Sequence, residues 1–172
     1  LPVERIFDRG VGELFVLRVA GNVVNADNAG TIEYGTHHLH SGLLVVMGHS
    51  KCGAVSAAVT DAKVEGNIEK LVDKIEPAVE RAEKDNPGKS SEELLPLAIN
   101  ENVWQSIFDL LRTSPETCKA VKNGELKIVG AVCNIETGQV EWLGEHPWQA
   151  EMVDAFLKRA DETEHASAES DH

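Results

Sequence analysis

The feature that most constrains the fold is a short run at residues 43–48, in which no position is polar. A strand that is apolar on both faces is usually covered on both faces, as strands in a parallel sheet are. Strand-like and helix-like stretches alternate around this run, which is the order of an α/β protein. The sequence therefore predicts a mainly parallel β-sheet flanked by helices, with an antiparallel edge strand.

The other elements follow from apolar periodicity and turn residues along the 172 positions. Strands are predicted over 13–19, 126–132 and 140–143, and helices over 31–39, 53–60 and 67–75. Two further helices are predicted to begin near Pro96 and at Pro147. The last stretch of the chain is polar and rich in small residues, which is typical of a frayed terminus. We therefore expect one α/β domain over 1–160 and a disordered tail over 161–172.

Charge and cysteine content limit the classes of partner. The formal net charge is −13, which repels phosphate backbones and anionic lipids, so we expect neither a nucleic-acid nor a membrane partner. No apolar run approaches the roughly 18–20 residues of a membrane span. Cys52, Cys118 and Cys133 are too few and too widely spaced for a disulfide framework. We expect a reducing compartment, the cytoplasm, with cysteines that are buried or bound to metal.

The residues best suited to chemistry are in the hexapeptide Gly-His-Ser-Lys-Cys-Gly at 48–53, where a buried strand ends and a helix begins. Ligands of parallel sheets bind at the carboxyl ends of the strands. Imidazole and thiolate are ligand types that zinc prefers, so His49 and Cys52 are the candidate metal ligands. Gly53 adds no side-chain bulk beside them, and its N–H could face a bound anion, which makes it a candidate substrate-binding residue.

The same hexapeptide has a second interpretation, in which a buried structural cysteine happens to follow a surface histidine. Spacing alone does not separate the two interpretations. A zinc site needs four ligands, and this pair supplies only two of them.

Several stretches occur together in the order found in one known family. They are Pro-Val-Glu-Arg-Ile-Phe-Asp at 2–8, Gly-Glu-Leu-Phe-Val-Leu-Arg-Val-Ala-Gly-Asn at 12–22, Thr-Ile-Glu-Tyr-Gly at 31–35, the hexapeptide with Ala-Val at 48–55, Gly-Glu-Leu-Lys-Ile-Val-Gly at 124–130 and Thr-Gly at 137–138. Taken together, these stretches resemble the β-class carbonic anhydrases. The resemblance extends from Leu1 to Leu143.

This resemblance implies a zinc lyase that reversibly hydrates carbon dioxide to bicarbonate and a proton. His49 and Cys52 match two of the family's zinc ligands, and the metal would lower the pKa of a bound water to supply the attacking hydroxide. The resemblance also implies a homodimer or a larger homo-oligomer. His37, His38 and His40 could help to carry the proton away, the alternative being a solvated helix face.

The family's first metal motif, Cys-x-Asp-Ser-Arg, is expected immediately before Leu1. It would supply another cysteine ligand and an Asp–Arg pair on a central strand, so we expect a missing preceding segment and no catalytic residue within the chain itself. Arg18 matches a member of the family's regulatory bicarbonate site, with a structural ion pair as its alternative role. Cys133 departs from that site, where some members have tyrosine, and buried packing is predicted for Cys133 and Cys118.

Other functions remain open at this stage. On the same fold and metal, the substrate could be carbonyl sulfide or carbon disulfide instead of carbon dioxide. A chain with only two ligands could also be a catalytically inactive homologue that serves as a structural or interaction subunit. A nucleotide-binding α/β domain ranks last, because the glycine-rich phosphate-binding motifs are missing from the sequence.

Overall fold

The computed structural model describes residues 1–170, apart from the side chains of residues 164 and 167–170. Its sheet contains the strands β1 (Leu43–His49), β2 (Lys127–Cys133) and β3 (Val140–Gly144), in the spatial order β1-β2-β3. β1 and β2 are parallel, whereas β3 is antiparallel to β2. This arrangement confirms the predicted α/β class with an antiparallel edge strand.

Helices cover the sheet and fill the connections between strands. Within the described residues they are α1 (Val3–Ile6), a 3-10 turn (Ala20–Asn22), α2 (Ala26–His37), α3 (Gly53–Val59), α4 (Asn67–Val72), α5 (Glu76–Asp85), α6 (Ser91–Thr113), α7 (Pro115–Lys122) and α8 (Gln149–Ser170). The crossover from β1 to the parallel β2 therefore contains α3 to α7.

The 23-residue helix α6, the longest within residues 1–170, forms the centre of the core. It begins at Ser91 rather than near Pro96 as predicted, because Ser90 and Glu93 form a reciprocal capping box that satisfies amide groups at its start. Its first half packs with α3 and α5, and its second half packs with α7, β2 and α8. The core consists of two clusters of buried hydrophobic residues, and α6 contributes side chains to both of them.

Two glycines let α6 approach the sheet closely. A Cβ atom at Gly130 would lie 2.9 Å from Val103 Cγ1 and 3.0 Å from Trp104, and one at Gly48 would lie 3.0 Å from Val103 Cγ2. These distances are shorter than ordinary van der Waals contact. The lack of a side chain at both positions therefore sets how near the helix lies to β1 and β2.

Residues 13–19 do not form a strand, which corrects the sequence prediction. Phe15, Leu17 and Val19 are 38–45% exposed, whereas Leu14 and Val16 are partly buried. This alternation is typical of a strand, but the segment pairs with no strand in the described part of the chain. Because no described strand pairs with the other side of β1, β1 lies at the edge of the sheet and is hydrogen-bonded to β2 alone.

Other boundaries also differ from the predictions. α2 starts at Ala26, earlier than predicted, because the Asn25 side chain caps it by accepting a hydrogen bond from the Asn28 amide. α8 continues through much of the stretch predicted as a tail, as far as Ser170, and residues 171–172 lie outside the described range. The limits of the single domain stay a prediction.

The close helix–sheet packing predicts that two glycine-to-alanine changes differ in their effect on stability. Gly130→Ala should lower the free energy of unfolding by about 1–3 kcal/mol, because the added methyl group must displace Val103 or Trp104. Gly30→Ala, in α2 with nothing within 4 Å of the new methyl, should be neutral or should stabilise by up to about 1 kcal/mol. Urea unfolding of both variants measures the difference. Equal effects would contradict the packing described for α6.

Candidate metal centre

The predicted ligands lie on either side of the turn that joins β1 to α3. His49 is the last residue of β1, and Cys52 is the residue that precedes the first turn of α3. Between them Lys51 has a φ of +56°, a left-handed conformation that is uncommon for a residue with a side chain. This reversal of the backbone makes the short connection between strand and helix possible.

A hydrogen bond defines the ring orientation of His49. Its Nδ1 lies 2.9 Å from the carbonyl oxygen of Ser50. A carbonyl oxygen can only accept, so the bond requires a proton on Nδ1. The lone pair of the neutral ring is then on Nε2, which is the state that a metal-ligating imidazole needs.

Cys52 and Gly53 differ in exposure. The Cys52 residue is 4% exposed, and no hydrogen bond to its sulfur is found among the described residues. Gly53 is exposed, and an added Cβ there would meet nothing within 4 Å. The open space is therefore shown beside Gly53, whereas Cys52 itself packs in the hydrophobic core.

The two other cysteines, Cys118 and Cys133, are also buried, in different parts of the structure. Cys118 is a fully buried residue of α7, and its thiol donates to the Leu111 carbonyl at 3.1 Å. Burial raises the pKa of that thiol to about 11. Cys133 is 1% exposed and is the register partner of His49 in the sheet. Both positions agree with the predicted packing role.

Residues 1–170 contain no cluster of three or more His, Cys, Asp or Glu side chains that could hold a metal. His49 and Cys52 are therefore a pair, without a third ligand from the described part of the chain. Their nitrogen and sulfur atoms are the kinds of donor that zinc prefers, but a zinc site has four ligands and this pair supplies two.

The remaining predicted residues lie apart from this pair. Arg18 forms an exposed ion pair with Glu4 at 3.2 Å, so its guanidinium is at least partly engaged, and a bicarbonate role stays a prediction. The ring of His38 lies 5.1 Å from that of Tyr34. No contact among the described side chains joins His37, His38 or His40 to His49 or Cys52.

An apolar groove runs beside the unpaired edge of β1. It has a volume of about 680 Å³, and it is lined on one side by β1 and on the other by residues 13–19. We call it the β1 groove. His49 and Arg18 are both part of its lining, so one candidate ligand faces the space that separates β1 from the 13–19 segment.

Sequence comparisons identify the family. The sequence profile of the carbonic anhydrase family matches residues 1–140. Carbonic anhydrase 2 of Mycobacterium tuberculosis is 31% identical over 143 residues, which cover 81% of this chain and 67% of the relative. The carbonic anhydrase of Mycolicibacterium smegmatis is 32% identical, with coverage of 82% and 68%. The chain belongs to the carbonic anhydrase family.

Solved structures place the fold within the β class. The β-carbonic anhydrase CafA of Aspergillus fumigatus superimposes with a TM-score of 0.81 at 23% identity, covering 92% of this chain and 76% of that one. A tetrameric β-carbonic anhydrase of Sordaria macrospora gives a TM-score of 0.73 at 25% identity, with coverage of 84% and 75%. The resemblance predicted from the sequence is confirmed. None of the helices described has the length and apolar character needed to span a membrane.

Proposed function

We propose that this chain is part of a zinc enzyme that reversibly hydrates carbon dioxide to bicarbonate and a proton. One observation carries the proposal: His49 and Cys52, an imidazole and a thiol, adjoin the same turn at the carboxyl end of β1. The family supplies the reaction class, and this placement supplies a site for it within the chain.

In this proposal, His49 would bind zinc through Nε2, because its Nδ1 is held by the Ser50 carbonyl. Cys52 would bind through its sulfur, for which the described residues offer no competing hydrogen bond. The bound metal would supply Lewis acidity, which makes hydroxide available near neutral pH for attack on carbon dioxide. Gly53 would leave room for the small substrate, since beyond its chain neighbours and its own helix backbone no atom lies within 4 Å of the position its Cβ would take.

We propose further that the other ligands lie on an extended strand in the β1 groove. The groove adjoins an unpaired strand edge, and its opposite wall carries the exposed apolar side chains of Phe15, Leu17 and Val19. An added strand would satisfy the backbone groups of β1 and cover those side chains. His49 lies in the groove lining, so the carboxyl end of a parallel strand would be near it. The aligned residues cover 67% of the length of the mycobacterial relative.

Assembly into a homodimer or a larger homo-oligomer is part of the same proposal. A solved relative is described as tetrameric. In this chain, large apolar side chains such as Tyr34, Leu39 and Trp148 are 49–65% exposed. Contact between subunits is one way to remove such surface from water.

Hydrogen exchange tests the groove. In the chain of 172 residues, the amides of β1 that point away from β2 should exchange quickly, because they face the groove. In the protein extended to the start of its reading frame, the same amides should be protected by at least about tenfold. The amides that pair with β2 serve as the internal control. Outward amides that exchange equally in both proteins would contradict a strand in the groove.

Ligand variants of the extended protein test the reaction. His49→Ala and Cys52→Ala should each lose tightly held zinc and lower kcat/KM for carbon dioxide hydration at least about hundredfold, since even outer-shell partners of metal sites cost 10–100-fold. Cys118→Ala is the matched control and should keep its zinc, because that thiol is buried elsewhere in the core. Stopped-flow assays with a pH indicator and metal analysis give the two readouts.

The assay separates the proposal from its alternatives. Zinc together with hydrolysis of carbonyl sulfide or carbon disulfide, and little hydration of carbon dioxide, would replace the proposed substrate. Absence of zinc and of both activities from the extended protein would indicate an inactive homologue.

A further inference from the structure

The loop between His49 and Cys52 is hydrogen-bonded to the turn that follows β2. The Ser50 amide donates to the Cys133 carbonyl at 2.9 Å, and the Ser50 hydroxyl oxygen accepts from the Ile135 amide at 3.0 Å. Lys51 adds an ion pair with Glu136. Both members of that pair are 65% exposed, so the pair contributes little, and the bonds of Ser50 are the specific link.

The turn at residues 134–139 is itself well fixed, and we call it the Asn134 turn. The Asn134 side-chain oxygen accepts from the amides of Glu136 and Thr137 at 2.9 and 3.2 Å. Backbone bonds join Asn134 to Gln139 and Gly138 at 2.8 Å each. β2 and β3 enter and leave this turn, so the sheet holds it in place.

The metal loop needs such a support. Lys51 has a left-handed φ of +56°, which a residue with a Cβ adopts readily only when its surroundings favour it. The carbonyl of Ser50 also accepts the bond from His49 Nδ1. Ser50 therefore joins three features: the reversed backbone, the His49 ring and the Asn134 turn.

We propose that Ser50 is a positioning residue, whose hydroxyl holds the loop so that His49 presents Nε2 and Cys52 presents its sulfur to the metal. This inference rests on the proposed zinc site. It assigns Ser50 no contact with substrate and no part in proton transfer. Its effect is on the orientation of the two ligands.

The matched pair Ser50→Thr and Ser50→Val tests the hydroxyl, because threonine and valine have nearly the same shape. Ser50→Thr should keep the zinc affinity of the extended protein within about twofold. Ser50→Val and Ser50→Ala should weaken it about tenfold, near the low end of outer-shell effects, because the loop that orients both ligands loses its bond to Ile135. Thr60→Ala removes a hydroxyl that bonds within α3 and should leave the affinity unchanged. Competition with a chromophoric chelator measures the affinity.

A second readout needs no metal. Nitrogen-15 NMR of the metal-free protein, above the range where its histidines are protonated, should show His49 with its proton on Nδ1 in the wild type and in Ser50→Thr. Ser50→Val and Ser50→Ala should give a mixture of the two tautomers. Unchanged tautomer and affinity in Ser50→Val, or equal losses in Ser50→Thr and Ser50→Val, would overturn the assignment. A wild-type protein that binds no zinc would end the proposed function, and the tautomer would still decide the role of Ser50.

Discussion

Parallel pairing joins β1 to β2 without interruption, from Leu43↔Lys127 to His49↔Cys133. Because the two strands end at the same level, the loop after β1 and the turn after β2 meet, and the Ser50 bonds cross between them. Gly48 and Gly130 allow α6 to pack tightly on the same two strands. The position of the metal pair therefore depends on pairing and packing that extend well beyond the hexapeptide.

Local sequence was enough to predict the elements whose apolar pattern is distinctive by itself. The all-apolar 43–48 run gave β1, and the change from strand to helix at His49 and Cys52 gave the location of the pair. The error at residues 13–19 has a clear cause: the alternating pattern was real, but a strand also needs a neighbour, and the described chain offers none there. Ser50 was missed because its partners at Cys133 and Ile135 are distant in sequence, and a lone serine gives no periodic signal.

Family membership and the candidate site rest on different observations. The comparisons define the family and the fold, whereas the number of ligands within the chain defines how much of a metal centre it can form alone. Among residues 1–170, His49 and Cys52 are two donors of the kind that zinc prefers, and His49 also lines the apolar groove beside the unpaired edge of β1. Phe15 and Leu17, which line the same groove, are 45% and 39% exposed.

We propose above that His49 and Cys52 bind one metal ion. Zinc-edge X-ray absorption of the extended protein tests it directly, because nitrogen and sulfur ligands scatter at different distances, about 2.0–2.1 and 2.3 Å. At zinc concentrations high enough to load the weakened sites, we predict that Cys52→Ser removes part of the sulfur contribution and that His49→Ala removes imidazole scattering from the same zinc. Spectra of both variants that match the wild type at full zinc occupancy would contradict the account.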